Sequence, residues 1–389
     1  MKAGEGTLIL THVSNSLAGA PLYINAGAVR ATPLTSLPSG EVRFRGGVLE
    51  ITGGGTFSRS IGFGTGNLTW SGMTAGNVNI KEERGSGGFA AVGADVTVDL
   101  NGAGASNLVW EATGFIDSGF ALILGSRNAT NRITFADNIN LTQATPVVTL
   151  PDLPPALNYN AREFRVMDNT AVSTDSARIS GVISGNVQTD LLKTGSGALE
   201  LTGANTYGGN TLIHEGILSI SAANNLGDAS GQNVVAIDGG TLRSTAAGVV
   251  LPAVRSVAVG ANGATLDVEA SAALTVAGSV VGASAVVTKT GAGTLNLNGD
   301  QKYGTLTTSG GTTNIAGAFT PGTATVNANA ATNFSTNQTL AALNVGAGAV
   351  VTFGPTPPPF AFGAVVPEPS SAALAALGAA LLGLRRRRA

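Results

Sequence analysis

The sequence has 389 residues and a formal net charge of -2, with 43% hydrophobic, 11% charged and 5% aromatic residues. Globular domains carry about 25% charge, so the usual charged, solvated surface is missing; the near-neutral balance excludes the basic face that nucleic-acid binding needs. The hydrophobic fraction excludes ordinary disorder, and the absence of cysteine excludes disulfides, thiolate metal sites and cysteine nucleophiles.

The chain opens on Lys2 with the phrase KAGEGTLIL. A secretory leader needs a basic start, an apolar core of about 7–15 residues and a small-residue cleavage site, and none is visible here. The phrase starts abruptly, so the expectation is a shortened start inside a repeat, with an export signal upstream. The same K-x-G-x-G-x-L-x-L pattern returns as KTGSGALEL from Lys193 and KTGAGTLNL from Lys289. A second phrase, small residues followed by an alternating strand, appears as GGVLEI at Gly46, EGILSI at Glu215, GGTLRS at Gly239 and GATLDV around Gly263. Leu218, Leu242 and Leu266 are each 24 residues apart.

Such a period predicts a solenoid. Alternate side chains of a short strand face one way, which puts Leu199, Leu201, Leu218 and Ile220 inward and Glu200 and Ser219 outward. Glycine supplies positive φ at the corners, and Asn205, Asn224 and Asn225 are expected to tolerate the left-handed conformation and to ladder between coils. One coil cannot bury its own apolar face, whereas a stack shares one core. An antiparallel sandwich would also give short strands and glycine turns, but it does not require a repeated phrase. No helical period of ten or more residues precedes about residue 365.

Few residues suggest chemistry. His12 and His214 lie 202 residues apart and outside any H-E-x-x-H spacing, so both read as surface residues. No G-x-S-x-G elbow occurs, and Gly291-Ala292-Gly293 sits at a β-turn, where it does not form a phosphate loop. Some β-helix proteins cleave polysaccharides with paired acids. Asp95 and Asp99 would share one face of a strand about 13 Å apart, and Glu82 and Glu83 would face opposite ways; all four read as solvated acids. No catalytic residue, cofactor site or metal site is predicted, and the nonapeptide of a calcium roll is absent.

The segment RISGVISG…LLKTGSGALELTGANTYGGNTLIHEGILSI, residues 178–220, resembles the autotransporter-associated β-strand repeat. The likeness rests on Ile183-Ser184-Gly185, Lys193, Gly195, Gly197, Leu199, Leu201, Gly203, Asn205-Thr206-Tyr207, Gly209, Thr211, Gly216 and Leu218. Residues 280–315 resemble it more distantly, keeping KTGAGTL but replacing the Asn-Thr-Tyr turn with Asp300-Gln301-Lys302-Tyr303. Residues 60–141 resemble regions found beside such repeats. The resemblance implies an extracellular, right-handed parallel β-helix that displays or adheres, with no defined reaction. An autotransporter would end in a barrel of alternating strands of about ten residues, and this C-terminus does not.

From Gly354 a proline-rich linker begins, followed by Pro367-Glu368-Pro369, the uncharged stretch 372–384 (AALAALGAALLGL) and Arg385, Arg386, Arg387 and Arg388. Serine at 370 or 371 can cap a helix start. The apolar stretch is short of the roughly 20 residues that usually span a membrane, and the arginines would hold its end on the cytoplasmic side. Its composition gives no polar face, against an amphipathic tail. The order resembles the PEP-CTERM sorting signal. That resemblance implies recognition of Pro367, Glu368 and Pro369 by a membrane-embedded exosortase, with 372–384 as a temporary transmembrane anchor and Arg385–Arg388 as a stop-transfer cluster. The processed protein would be released or joined to the envelope or an extracellular polysaccharide.

The expected organisation is an all-β solenoid over 1–354, a linker over 355–366 and a sorting signal over 367–389. The expected function is that of an exported structural or adhesive surface protein; the alternative is a polysaccharide lyase or hydrolase on the same scaffold.

Overall fold

The computed structural model describes residues 1–354 except 14, 16, 18–19, 71–83, 103–105, 113, 118, 143–159, 229–232 and 321, and residues 355–389 lie outside it. The chain divides into two compact units, Met1–Val235 and Ala236–Ala389.

In the first unit a stack of parallel strands climbs through Thr7–Ile9, Ala28–Ala31, Val48–Thr52, Gly87–Val92, Ala121–Leu124, Asn160–Val166, Thr189–Thr194 and Thr211–Ile213. A second stack runs through Gly55–Phe57, Val96–Val98, Arg132–Phe135, Ser176–Ile179, Ala198–Leu201 and Ile217–Ile220. Shorter third-side stacks are Leu22–Ile24 with Val42–Phe44 and Leu68–Thr69, and Asn107–Val109 with Asn138–Asn140 and Ile183–Ser184. The chain therefore visits several parallel stacks in turn and returns to each, which is the path of a β-solenoid. Among the described residues helix is limited to two 3-10 turns, Leu100–Gly102 and Ala223–Leu226.

Parallel register makes columns of like residues. Ala177, Leu199 and Leu218 stand one above another, as do Ile179, Leu201 and Ile220, and all six are fully buried. The predicted inward set is therefore correct. Glu200 points outward and bonds Arg178 on the preceding coil at 2.8 Å. Ser219 also alternates outward, but it is 7% exposed and counts as buried.

Between Phe44 and Phe164 the filling changes from leucine to aromatics. Phe44 stacks on Trp70 at 4.8 Å, Phe89 meets both edge-on, and Phe115 links Trp70 to Trp110, which reaches Phe164 at 5.5 Å. Aromatic pairs add roughly 0.5–1.5 kcal/mol each beyond burial. The Trp70 indole N–H is satisfied by the Gly87 carbonyl at 2.9 Å.

In the second unit one side stacks Thr241–Ser244, Ala264–Val268, Val280–Thr290, Gln301–Thr308, Thr325–Ala328 and Ala342–Val345. Another stacks Val249–Leu251, Ala273–Val276, Thr294–Leu297, Thr312–Ile315, Ala331–Phe334 and Val351–Phe353. Outside this second stack, amides bond from coil to coil. Asn296 donates to Thr275 at 3.1 Å, Asn314 to Asn296 at 2.8 Å and Asn333 to Asn314 at 2.7 Å, with Thr352 donating to Asn333. The segment at Asp300-Gln301-Lys302-Tyr303, read from sequence as a turn, instead opens the strand Gln301–Thr308. The Tyr303 ring is buried against Phe319 at 5.6 Å.

Asn205 and Asn225 do ladder, but none of Asn205, Asn224 and Asn225 has left-handed backbone. Among the described residues the positive-φ residues other than glycine are Leu34, Glu111, Ser271 and Ser284. Asn205 works through its side chain, accepting from Ile183 N–H at 2.8 Å and donating to the Asn225 carbonyl at 2.6 Å. Asn225 in turn accepts from Ser221 and Ala222 N–H and donates to the Gly203 carbonyl.

Among the described residues no helix is long and apolar enough to cross a membrane. The transmembrane helix expected at 372–384 lies outside the described residues.

Removing the Leu199 side chain opens a hole between Ala177 and Leu218. Leu199→Ala is expected to cost about 2–5 kcal/mol, measured by urea denaturation followed by circular dichroism.

Candidate functional site

The three lysine phrases build the same corner three times. Register places Lys193 in the inward column Leu122, Phe164, Lys193, Ile213, and Lys289 in the column Leu242, Leu266, Lys289, Thr308. Each lysine therefore stands where a core residue is due, and both are fully buried. The aliphatic stem packs in the core while the ammonium reaches the coil edge. There Lys193 Nζ donates to the carbonyls of Thr194 (2.9 Å), Gly195 (2.6 Å) and, one coil on, Glu215 (3.0 Å). Lys289 repeats this with Thr290 (2.7 Å), Gly291 (2.8 Å) and Gly310 (3.0 Å). Lys2 does so with Ala3, Gly4 and Ala26 at 3.3, 2.6 and 2.9 Å. An ammonium has three donors, and all three are used.

The glycine after each lysine aims the carbonyls. Gly4, Gly195 and Gly291 have φ of 79°, 73° and 74°, where a side chain is strained. The next glycine serves space instead: a Cβ on Gly197 would lie 2.7 Å from Val166 Cγ1, and one on Gly293 2.2 Å from the Glu269 carbonyl oxygen. The lysine is the one charged residue shared by all three phrases, and that was the signal available in the sequence; the strand pattern alone hides its inward direction.

The sequence candidates for chemistry are scattered. Asp95 and Asp99 flank the three-residue strand Val96–Val98 and do not share it. Asp95 is exposed and accepts Arg132 N–H at 3.0 Å. Asp99 lies near Asp137, which is fully buried, accepts Leu100 N–H at 2.8 Å and is pushed up to about 6, chiefly by burial and further by the Asp99 charge. His12 is exposed and His214 half-buried beyond the strand Thr211–Ile213. Glu82 and Glu83, and the sorting residues Pro367, Glu368, Pro369 and Arg385 to Arg388, lie outside the described residues. Among the described residues no group of three or more metal-ligating side chains occurs.

A feature without a sequence signal lies on the outer side of the first unit. After the strand Ala121–Leu124, Gly125 turns at φ 80° and the loop to Thr130 crosses the sheet, bonded to the Phe89 and Ala91 carbonyls at 2.9 and 3.0 Å. The loop helps enclose a cavity of about 240 Å³ with an apolar floor of Val48, Ile123 and Met167. Glu50, with a fully buried side chain, also lines it. Its carboxylate is saturated by Arg30 (2.7 Å), Ser126 (2.8 Å) and Asn128 (3.3 Å). Asn128 donates also to Thr7 at 2.9 Å. Glu5, Arg127 and Arg165 are the other charged residues of the lining.

These features define a parallel β-solenoid whose repeated phrase closes its corners with buried lysine. Sequence comparison gives the repeat its family: the passenger-associated-transport-repeat matches residues 2–31 and 191–220, and the PEP-CTERM protein-sorting motif matches residues 365–388. The chain thus carries both passenger repeats and a sorting motif. The Lys289 corner has the same geometry outside the matched segments. The adhesin BmaC autotransporter of Brucella suis biovar 1 (strain 1330) is 34% identical over 263 residues, covering 64% of this chain. The chain spans 7% of the length of that curated relative. No solved structure matches.

Burial pushes the Lys193 ammonium down from 10.5 to about 7, with the Glu215 carboxylate opposing. Between those values the unfolded chain binds more protons than the folded one, so stability rises with pH from about 7 to 10.5. The melting temperature is expected to climb from about pH 7 to pH 9.5. Lys193→Met should make that climb smaller, leaving the part due to Lys289, whose ammonium burial pushes down to about 8. It should also lower the melting temperature throughout, because it strips the donors from three carbonyls. Differential scanning calorimetry at stepped pH measures both.

Proposed function

We propose that the chain is an exported surface protein whose solenoid forms a structural and adhesive display region, and that an exosortase processes it at Pro367-Glu368-Pro369. The observation that carries this reading is the joint presence of passenger repeats and a sorting motif in one chain. An adhesin among its relatives supports the adhesive part. In this reading residues 1–354 are the displayed solenoid, 355–366 a spacer and 367–389 the signal. The solenoid is right-handed, in keeping with the strong preference of parallel crossover connections.

The segment 372–384 acts as a transient anchor, held by Arg385–Arg388 on the cytoplasmic side. Its short length suits an intermediate that is to be cut. The mature protein then sits in the envelope or an extracellular polysaccharide. A glycoside hydrolase ordinarily flanks the scissile bond with two acids, and the described candidates Asp95 and Asp99 have separate partners and separate surroundings.

Replacing Pro367, Glu368 and Pro369 together by alanine in the producing bacterium tests the reading. Fractionation and immunoblotting are expected to find the unaltered protein outside the inner membrane in shortened form, and the variant retained there at full length. Identical size and distribution of the two would overturn it.

A further inference from the structure

The cavity on the outer side of the first unit is framed by bonds that also tie coils together, Arg30 to Glu50, Ser126 to Glu50 and Asn128 to Thr7. Its floor is fixed by a buried carboxylate whose oxygens are already taken by Arg30, Ser126 and Asn128. Glu50 therefore shapes the floor and has little capacity left for a ligand. The groups with capacity are at the rim. Glu5 and Arg127 line the cavity and are exposed, and neither has a hydrogen-bond or ion-pair partner among the described residues. Arg165 is held by Glu163 at 2.8 Å and adds a fixed second guanidinium.

We propose that this cavity is a subsite for one acidic sugar unit of an extracellular polysaccharide. At about 240 Å³ it is smaller than the roughly 300–1,000 Å³ of sites for drug-sized ligands and suits a single ring. The Val48, Ile123 and Met167 floor matches the C–H face of a pyranose. The sugar carboxylate meets the Arg127 guanidinium, whose planar fork favours a carboxylate geometrically. Ring hydroxyls donate to Glu5. A neutral sugar would fill the floor and leave Arg127 unmatched, so the charge supplies the selectivity.

This inference rests on the reading of the chain as an outside protein, but its test is done on purified protein and is independent of export and processing. Isothermal titration calorimetry of the full chain is run with trimers of galacturonate, of glucuronate and of neutral glucose. At least one acidic trimer should bind, with the neutral trimer and the Arg127→Ala variant each weaker by about tenfold or more. Lys302→Ala, an exposed change in the other unit, should bind as the unaltered protein does. Circular dichroism verifies that Arg127→Ala is folded. Binding of neither acidic trimer, equal binding of the neutral one, or unchanged affinity in Arg127→Ala would each overturn the proposal.

Discussion

A parallel coil stacks on another only if both turn their corners at the same place, and in this chain three of those corners are closed by a buried ammonium. The lysine holds two carbonyls of its own turn and one from the neighbouring coil, 24, 22 and 21 residues on for Lys2, Lys193 and Lys289. Burying an unpaired charge is costly, so each lysine is tolerated only while the turn and its neighbour keep their places. The penalty for a slipped register is thereby concentrated at the corner. Register in turn sets which side chains share a column, and so both the leucine core and the outer asparagine ladders follow from it.

The solenoid was legible because its period is written in the residues: a repeated phrase, strands of alternating leucine, and glycine where the backbone needs positive φ. What could not be read was direction and distance. Lys193 looks like a surface residue in isolation, and only its column between Phe164 and Ile213 shows it entering the core. Of the two roles expected of Asn205, the ladder between coils is present, made by its amide side chain, and the left-handed backbone is not. Asp99 was paired with its chain neighbour Asp95, while its electrostatic neighbour is Asp137 on the next coil, which no local spacing reveals. The cavity by Arg127 depends on residues as far apart as Glu5 and Met167 and carries no motif at all.

The solenoid and the C-terminal motif make different demands on the chain. In the proposed reading the sorting motif is a short, separable tail whose chemistry belongs to the enzyme that reads it. In the proposed reading the solenoid holds its shape outside the cell without disulfides, since this chain has no cysteine. Coil-on-coil hydrogen bonding, cross-coil pairs such as Arg30–Glu50 and Arg178–Glu200 and the lysine corners supply that cohesion from ordinary side chains. Such a stack presents flat, repeated sides on which a loop such as 125–130 can build a site without disturbing the core.

The central claim is that a corner lysine locks its own coil to the next. Hydrogen–deuterium exchange with mass spectrometry tests it on the full chain, with and without Lys193→Met. Faster exchange should appear in Thr189–Thr194, Ala198–Leu201, Thr211–Ile213 and Ile217–Ile220, while the aromatic coils around Phe44 and Phe89 keep their protection. Unchanged exchange in those four strands, or an equal loss of protection along the whole chain, would contradict the account.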